Sequence, residues 1–286
     1  MMKNDFAAFI LTHGRANNVK TYRSLKRAGY TGKIFIIIDN EDDTENEYRK
    51  IYGDEVIQFD KLEISKRFDT GDTQQDRRSI VYARNASFEI AENLGIKYFI
   101  QLDDDYTNFF YMFNKDRKYD HVPVKNLDAV LDSMVEYLKN SPILTIAMAQ
   151  GGDFIGGAEN DMGDSFSIKR KAMNTFICST DKKFKFVGRI NEDVNTYTSM
   201  GSRGYLFFTV SNLAINQITT QKNKGGMTDI YLDSGTYLKS FFTVMYSPSS
   251  VKIASMGQVN KRLHHKIVWN NTVPCIVRES LKVGKV

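Results

Sequence analysis

The chain has 286 residues, 42% apolar and 26% charged, which is the balance of a soluble globule and excludes a disordered chain. No run approaches the ~18 apolar residues a membrane span needs, and two cysteines, Cys178 and Cys275, exclude a disulfide framework or a Cys-rich zinc site. The formal net charge of +5 suits a polyanionic partner.

In chain order, Phe6–Thr12 reads as a short buried strand, followed by the turn His13-Gly14-Arg15 and a helix over Asn17–Ala28 that Gly29 caps. Lys33–Asp39 is the next apolar strand, and Asp42–Tyr52 has helical composition up to Gly53. Arg77–Leu94 predicts the best helix of this half, with Ile80, Ala83, Ser87, Ile90 and Leu94 on one face. The apolar strand Ile96–Leu102 then runs into Asp103-Asp104-Asp105. Phe109 to Phe113 reads as core or a wall of the site, as does Trp269. Further on come a helix over Val124–Asn140, a strand over Ile143–Ala149, and a loop marked by Gly151-Gly152 and Gly156-Gly157. Tyr205–Val210 reads as a strand, Lys222–Gly226 as a basic loop and Asp233–Phe241 as a helix.

Strands separated by helices imply parallel pairing with both sheet faces covered. Right-handed crossovers then bring the strand C-termini to one edge, where such a sheet binds its ligand. The loops at His13-Gly14-Arg15, Asp39-Asn40 and Asp103-Asp104-Asp105 must therefore converge.

Three adjacent carboxylates repel one another unless a divalent cation sits between them. Mg²⁺ or Mn²⁺ takes hard oxygen ligands and keeps positions open for water and phosphate. Alternation at a strand end puts Asp103 and Asp105 on one side, as the natural metal pair.

The stretch Arg77-Arg78-Ser79-Ile80-Val81-Tyr82-Ala83-Arg84-Asn85, followed by Tyr98-Phe99-Ile100-Gln101-Leu102-Asp103-Asp104-Asp105, resembles the GT-A class of nucleotide-sugar-dependent glycosyltransferases. Within it, Gly225–Tyr237 and Arg262–Trp269 point to the TET-associated glycosyltransferases, phage-type enzymes of DNA modification. The resemblance implies an α/β GT-A (Rossmann-like) fold with a mixed, mostly parallel sheet and helices on both faces. It also implies one domain over 1–286, with a nucleotide-sugar-binding half at 1–105 and an acceptor-binding half at 106–286. The expected setting is cytoplasmic, the host cytoplasm for a phage-encoded chain, without a signal peptide or membrane partner.

The resemblance further implies a nucleotide-sugar donor, a UDP-sugar first among them, and Mn²⁺ or Mg²⁺ as cofactor. Breaking the donor's glycosidic bond builds charge on a diphosphate, which a metal and nearby cations stabilise. Asp103 and Asp105 are the metal residues, while Asp103 and Asp104 count also toward the donor. Thr12, His13 and Arg15 fall in the donor loop; Arg77 and Arg84, two turns apart on the expected helix, are further cations. Asp39 is placed to accept from the base or ribose.

Asn191-Glu192-Asp193 is the second acidic cluster, and enzymes of this resemblance carry an acidic pair on the acceptor side. A positioned base there is worth ~10²–10⁴ in rate; Asp193 is the first candidate and Glu192 the second, provided that the reaction inverts configuration. A late histidine, His265 before His264, is expected to complete the metal site, with a cationic clasp on the diphosphate as the competing role.

Basic residues concentrate in the later half, at Lys169-Arg170-Lys171, Lys182-Lys183-Lys185, Lys222-Lys224 and Lys261-Arg262. They suit a double-stranded DNA acceptor bearing a hydroxymethylated pyrimidine. The alternatives are a transferase acting on polysaccharide or protein, and a catalytically silent DNA-binding module of the same fold. A nucleotidyltransferase that makes sugar nucleotides would need a Gly-rich N-terminal loop, which Leu11-Thr12-His13-Gly14-Arg15 meets poorly.

Overall fold

β1 (Phe6–Leu11) is buried along its whole length and lies between two parallel neighbours, β2 (Lys33–Asp39) and β4 (Tyr98–Asp103). A computed structural model of the chain describes residues 4–72, 77–150, 166–217, 228–256 and 262–282. The expected loops at Gly151–Gly157 and Lys222–Gly226 lie outside these residues, as does Lys261.

β3 (Val56–Phe59) completes the parallel group, in which α1 (Lys20–Arg27), α2 (Glu45–Tyr52), α3 (Lys61–Ser65) and α4 (Val81–Asn93) occupy the connections. The second half supplies β5 (Tyr106–Phe113), β6 (Tyr119–Pro123), α5 (Leu127–Lys139), β7 (Ile143–Gln150), β8 (Phe166–Ser167) and β9 (Phe176–Ser179). It continues through α6 (Glu192–Gly201), β10 (Leu206–Gln217), α7 (Thr228–Tyr246), β11 (Val251–Met256), β12 (Arg262–Ile267) and α8 (Trp269–Thr272). One sheet in the order β3-β2-β1-β4-β9-β7-β10-β5-β6, with β8 on β10, joins strands of both halves. Only β5, β8 and β9 run against the rest, so the sheet is mixed and mostly parallel.

The unbroken apolar run of β1 serves two cores. Phe6, Ala8 and Ile10 pack with Leu25 of α1, Tyr48 of α2 and Leu131 of α5. Ala7, Phe9 and Leu11 pack with Val81 and Ala86 of α4 and with Tyr197 of α6. Helices on both faces are therefore what a continuous strand of this composition requires. Each fully buried Phe contributes ~1.5–3 kcal/mol, and Phe9 stacks on Phe99 at 5.1 Å. Phe109, Phe110 and Met112 of β5 are likewise fully buried core, while Trp269 packs partly buried on the second core, stacked on Tyr197 at 5.9 Å.

Several boundaries differ from the sequence reading. The helix expected from Arg77 begins at Val81, because the Ser79 hydroxyl accepts the Val81 N–H and donates to the Arg189 carbonyl (2.6 Å). Arg77 therefore lies outside the helix and shares no helix face with Arg84. Asp42 similarly withholds the first turn expected of α2, its Oδ1 accepting the Thr44 N–H (2.9 Å) and hydroxyl (2.6 Å). Asn126 caps α5 by accepting the Ala129 N–H, which delays that helix to Leu127. β10 extends to Gln217 and α7 spans Thr228–Tyr246, both longer than expected.

Candidate active site

The C-terminal ends of β1, β2 and β4 meet at one edge, and the side chains there divide into three linked groups. The first fixes Asp104. The Arg15 backbone N–H donates to the Tyr48 hydroxyl (2.8 Å), leaving that hydroxyl to donate to Thr12 Oγ1 (2.8 Å). The Thr12 hydroxyl in turn donates to Asp104 Oδ2 (2.7 Å), and Arg15 Nη1 lies 3.1 Å from Asp104 Oδ1. Both carboxylate oxygens of a buried aspartate are thus satisfied by the loop after β1, as burial demands.

The second group is His13, Asp39 and Lys61. His13 Nδ1 lies 2.8 Å from Asp39 Oδ2, and the buried Lys61 ammonium lies 3.2 Å from the same oxygen. The bond to Asp39 raises the His13 pKa against the opposing effect of burial. For Asp39, burial acts upward, but the His13 bond and Lys61 hold its pKa below the usual carboxylate value. Asp39 Oδ1 also accepts the Glu41 N–H (3.1 Å), so this carboxylate braces the loops of its own edge. Asp42 Oδ2 accepts the Gly14 N–H (2.7 Å), where φ of +67° favours glycine.

The third group joins the two halves of the chain. Arg84 is 1% exposed; its Nη2 lies 2.9 Å from Asp103 Oδ1 and its Nε 3.0 Å from Glu192 Oε1. The rings of Phe176 and Phe186 stand 5.0 and 5.7 Å from the guanidinium carbon. Burial works against the Arg84 charge, but Asp103 and Glu192 outweigh it and raise its pKa. Burial pushes Asp103 up to about 7, with Arg84 opposing and Asp105 and Asp104 adding to the rise. It pushes Glu192 up to about 7 as well, reinforced by Asp193. Asp105 rises to about 6, through burial and then through Asp104.

Asn191 opens α6 in the left-handed region, φ 61°, a conformation that asparagine tolerates better than most residues. It follows Gly188, where φ is +78° and a Cβ would strike the Asn195 side chain. This sharp entry sets Glu192 and Asp193 in the first turn of α6, where the helix dipole favours negative charge. Asp193 is 7% exposed; its Oδ1 accepts the Val194 N–H (2.7 Å), and its Oδ2 has no partner among the described residues.

The structure brings Asp103, Arg84, Glu192 and Asp193 together and sets Thr12, Arg15 and Asp104 beside them. Arg77 joins the second group rather than the third: its Nη2 lies 2.5 Å from Glu41 Oε1, and it is close enough to Asp39 for the two charges to interact. His265, on β12, faces Asn191: the amide Nδ2 lies 3.3 Å from its Nδ1 and 2.8 Å from Thr243 Oγ1. Burial, then His264, Lys239 and Lys171, lower its pKa to about 3. Among the described residues, no three His, Cys, Asp or Glu side chains are grouped to hold a metal, so His265 is not brought into a ligand set with Asp103 and Asp105.

A divalent cation nevertheless suits the donor set at the acidic turn. Asp103 spends one carboxylate oxygen on Arg84, and among the described residues Asp105 accepts from its own backbone N–H alone. Unspent hard oxygens on two carboxylates match an ion that takes its remaining ligands from water and substrate phosphate. β4 ends at Asp103, so the turn rather than strand alternation sets Asp105.

Lys61, Tyr48 and Asp42 escaped the sequence reading. Lys61 looks like any surface lysine, and Tyr48 is one tyrosine in a polar helix. Asp42 showed a signal in its Asp-x-Thr spacing before a helix.

The fold is α/β, a mixed, mostly parallel sheet with helices on both faces. The chain belongs to the TET-associated glycosyltransferase family, whose model matches residues 6–226. Among solved structures, a crystal structure of S. aureus TarS 1-349 is similar, with a TM-score of 0.46 and 12% identity over 84% of this chain. The match spans 65% of that TarS chain. No curated protein matches. No helix among the described residues is long and apolar enough to cross a membrane.

Proposed function

We propose that the protein transfers a sugar from a nucleotide-sugar donor, a UDP-sugar first among candidates, to the hydroxymethyl group of a modified pyrimidine in double-stranded DNA. The observation that carries this reading is the Arg84 bridge. One buried guanidinium ties the acidic turn after β4 to the acidic first turn of α6. Such a tie sets a donor-side carboxylate and an acceptor-side carboxylate in fixed relation, as transfer between two substrates requires. Family membership supports glycosyl transfer, and the basic second half supports a polyanionic acceptor.

Asp103 and Asp105 would hold Mg²⁺ or Mn²⁺, which would neutralise charge on the departing diphosphate. Thr12, His13 and Arg15 shape the donor side, with Asp104 and Asp39 fixing that loop. Arg84 holds Asp103 and Glu192 in place. Glu192 is committed to Arg84, which leaves Asp193 as the base that takes the acceptor's hydroxyl proton in an inverting reaction. His265, facing Asn191, serves in this reading as a support for the start of α6.

The test incubates the protein with hydroxymethylcytosine- or hydroxymethyluracil-containing duplexes, a panel of sugar nucleotides and Mn²⁺, and weighs the released nucleosides by mass spectrometry. A nucleoside heavier by one sugar is expected. Transfer to a glycan or protein with none to DNA would overturn the acceptor assignment; no transfer or donor hydrolysis at all would leave a silent module.

A further inference from the structure

We infer that Tyr106, the first residue of β5, is a positioning residue of the cation site: its buried hydroxyl, unbonded among the described residues, donates to Asp103 when that carboxylate takes a divalent cation. The inference rests on the proposed cation site and adds to it a residue that acts through Asp103 without touching the ion.

Tyr106 is fully buried, its ring in the core with Leu25 of α1 and Leu131 of α5. Phenylalanine would fill that space without burying an oxygen that bonds nothing, and an unmade buried hydrogen bond is a cost. The groups that act on the phenol belong to the site. Asp103 is foremost and Arg84 next, followed by the Asp103 backbone N–H and then Asp105. The backbone group there is a donor, so what the hydroxyl lacks is an acceptor.

The main chain on both sides of the acidic turn is already fixed by α1. The Thr21 hydroxyl donates to the Asp103 carbonyl (2.5 Å) and accepts the Tyr106 N–H (2.9 Å). The Thr21 N–H donates to the Asp104 carbonyl (3.1 Å), and Ser24 Oγ donates to the Tyr106 carbonyl (2.9 Å). The Asp103 side chain is therefore what remains to complete the bond. Arg84 holds its Oδ1, while Asp105 and Asp104 bear on the same carboxylate with like charge. A cation shared by Asp103 and Asp105 cancels that repulsion. A carboxylate oxygen carries two lone pairs, so one that ligates a cation can still accept from the phenol. Ligating carboxylates are braced by hydrogen bonds of this kind, and losing one weakens metal binding about 10–100-fold.

The test measures Mn²⁺ binding to wild type and Tyr106→Phe by electron paramagnetic resonance of the free ion, with neither donor nor acceptor present, and thermal melting of both proteins in chelator. Tyr106→Phe should bind Mn²⁺ about tenfold more weakly. In chelator it should melt at or above the wild-type temperature, because it deletes a hydroxyl that bonds nothing there. A tyrosine that only packs the core would leave Mn²⁺ affinity unchanged. Equal affinity in the two proteins overturns the role of Tyr106 and leaves the cation site standing. A lower melting temperature for the variant in chelator also overturns it, since the hydroxyl would then have a partner without the ion. A wild-type protein that binds no Mn²⁺ overturns both.

Discussion

Asp103, the last residue of β4, is held 2.9 Å from the guanidinium of Arg84, which also reaches Glu192 at 3.0 Å. The contact spans two halves of the chain that are far apart in sequence. Arg84→Met should therefore do more than remove an ion pair. It leaves the buried Glu192 and the partly exposed Asp103 without their cation, at a cost of up to about 3 kcal/mol, the lower end of the range for a broken buried pair. Urea denaturation would show this as a lower midpoint with an unchanged slope. Arg84→Lys should recover only part, because an ammonium lacks the fork that engages both partners.

The same carboxylates set a pH dependence. Asp103 and Glu192 are raised to about 7 and Asp105 to about 6. A carboxyl raised on folding contributes stability that is present below its unfolded pKa and lost as pH rises through its folded pKa. The metal-free protein should thus melt at a lower temperature at pH of about 7.5 than at about 5, and Mn²⁺ should restore stability at the higher pH. Asp105→Asn should flatten part of that dependence, keep the fold and lose most transfer activity. A melting temperature that rises over this range in chelator would contradict the account.

Tyr48 links the loop after β1 to Asp104 through a chain of hydrogen bonds. Its hydroxyl passes a hydrogen bond from the Arg15 backbone to Thr12, and Thr12 holds Asp104. Tyr48→Phe strands a partly buried donor and a buried acceptor, which costs about 1–3 kcal/mol. In steady-state kinetics the donor KM should rise more than kcat falls, since the loop after β1 is what loosens.

Asp193→Asn should lower kcat for transfer by ~10²–10⁴ while the donor KM stays near its wild-type value. Glu192→Gln should lower folding stability as well, because it weakens the hold on Arg84. Comparable stability loss in both variants would remove the distinction between a base and a support.

Much of the fold was legible because the parallel strands are continuous apolar runs and each crossover contains a helix. Ile96–Leu102 leading into three aspartates told both the strand and the acidic turn that ends it. What the sequence concealed were relationships that need coordinates. Ser79 looked like an interior helix residue, yet its hydroxyl bonds hold the chain out of helix until Val81. Arg84 read as a cation for the donor, and the structure buries it between two carboxylates instead. Lys61 carried no sign that Asp39 would draw it into the interior. In each case the deciding partner lies outside the local window in which periodicity and capping operate.

The central claim is that Asp103 and Asp105 grip the cation that steadies the departing nucleoside diphosphate. Anomalous diffraction from a crystal soaked with manganese and a non-hydrolysable donor tests it most directly. The account predicts a manganese peak against Asp103 and Asp105 with diphosphate oxygens on the same ion. Manganese and diphosphate bound together anywhere else in the molecule would contradict it.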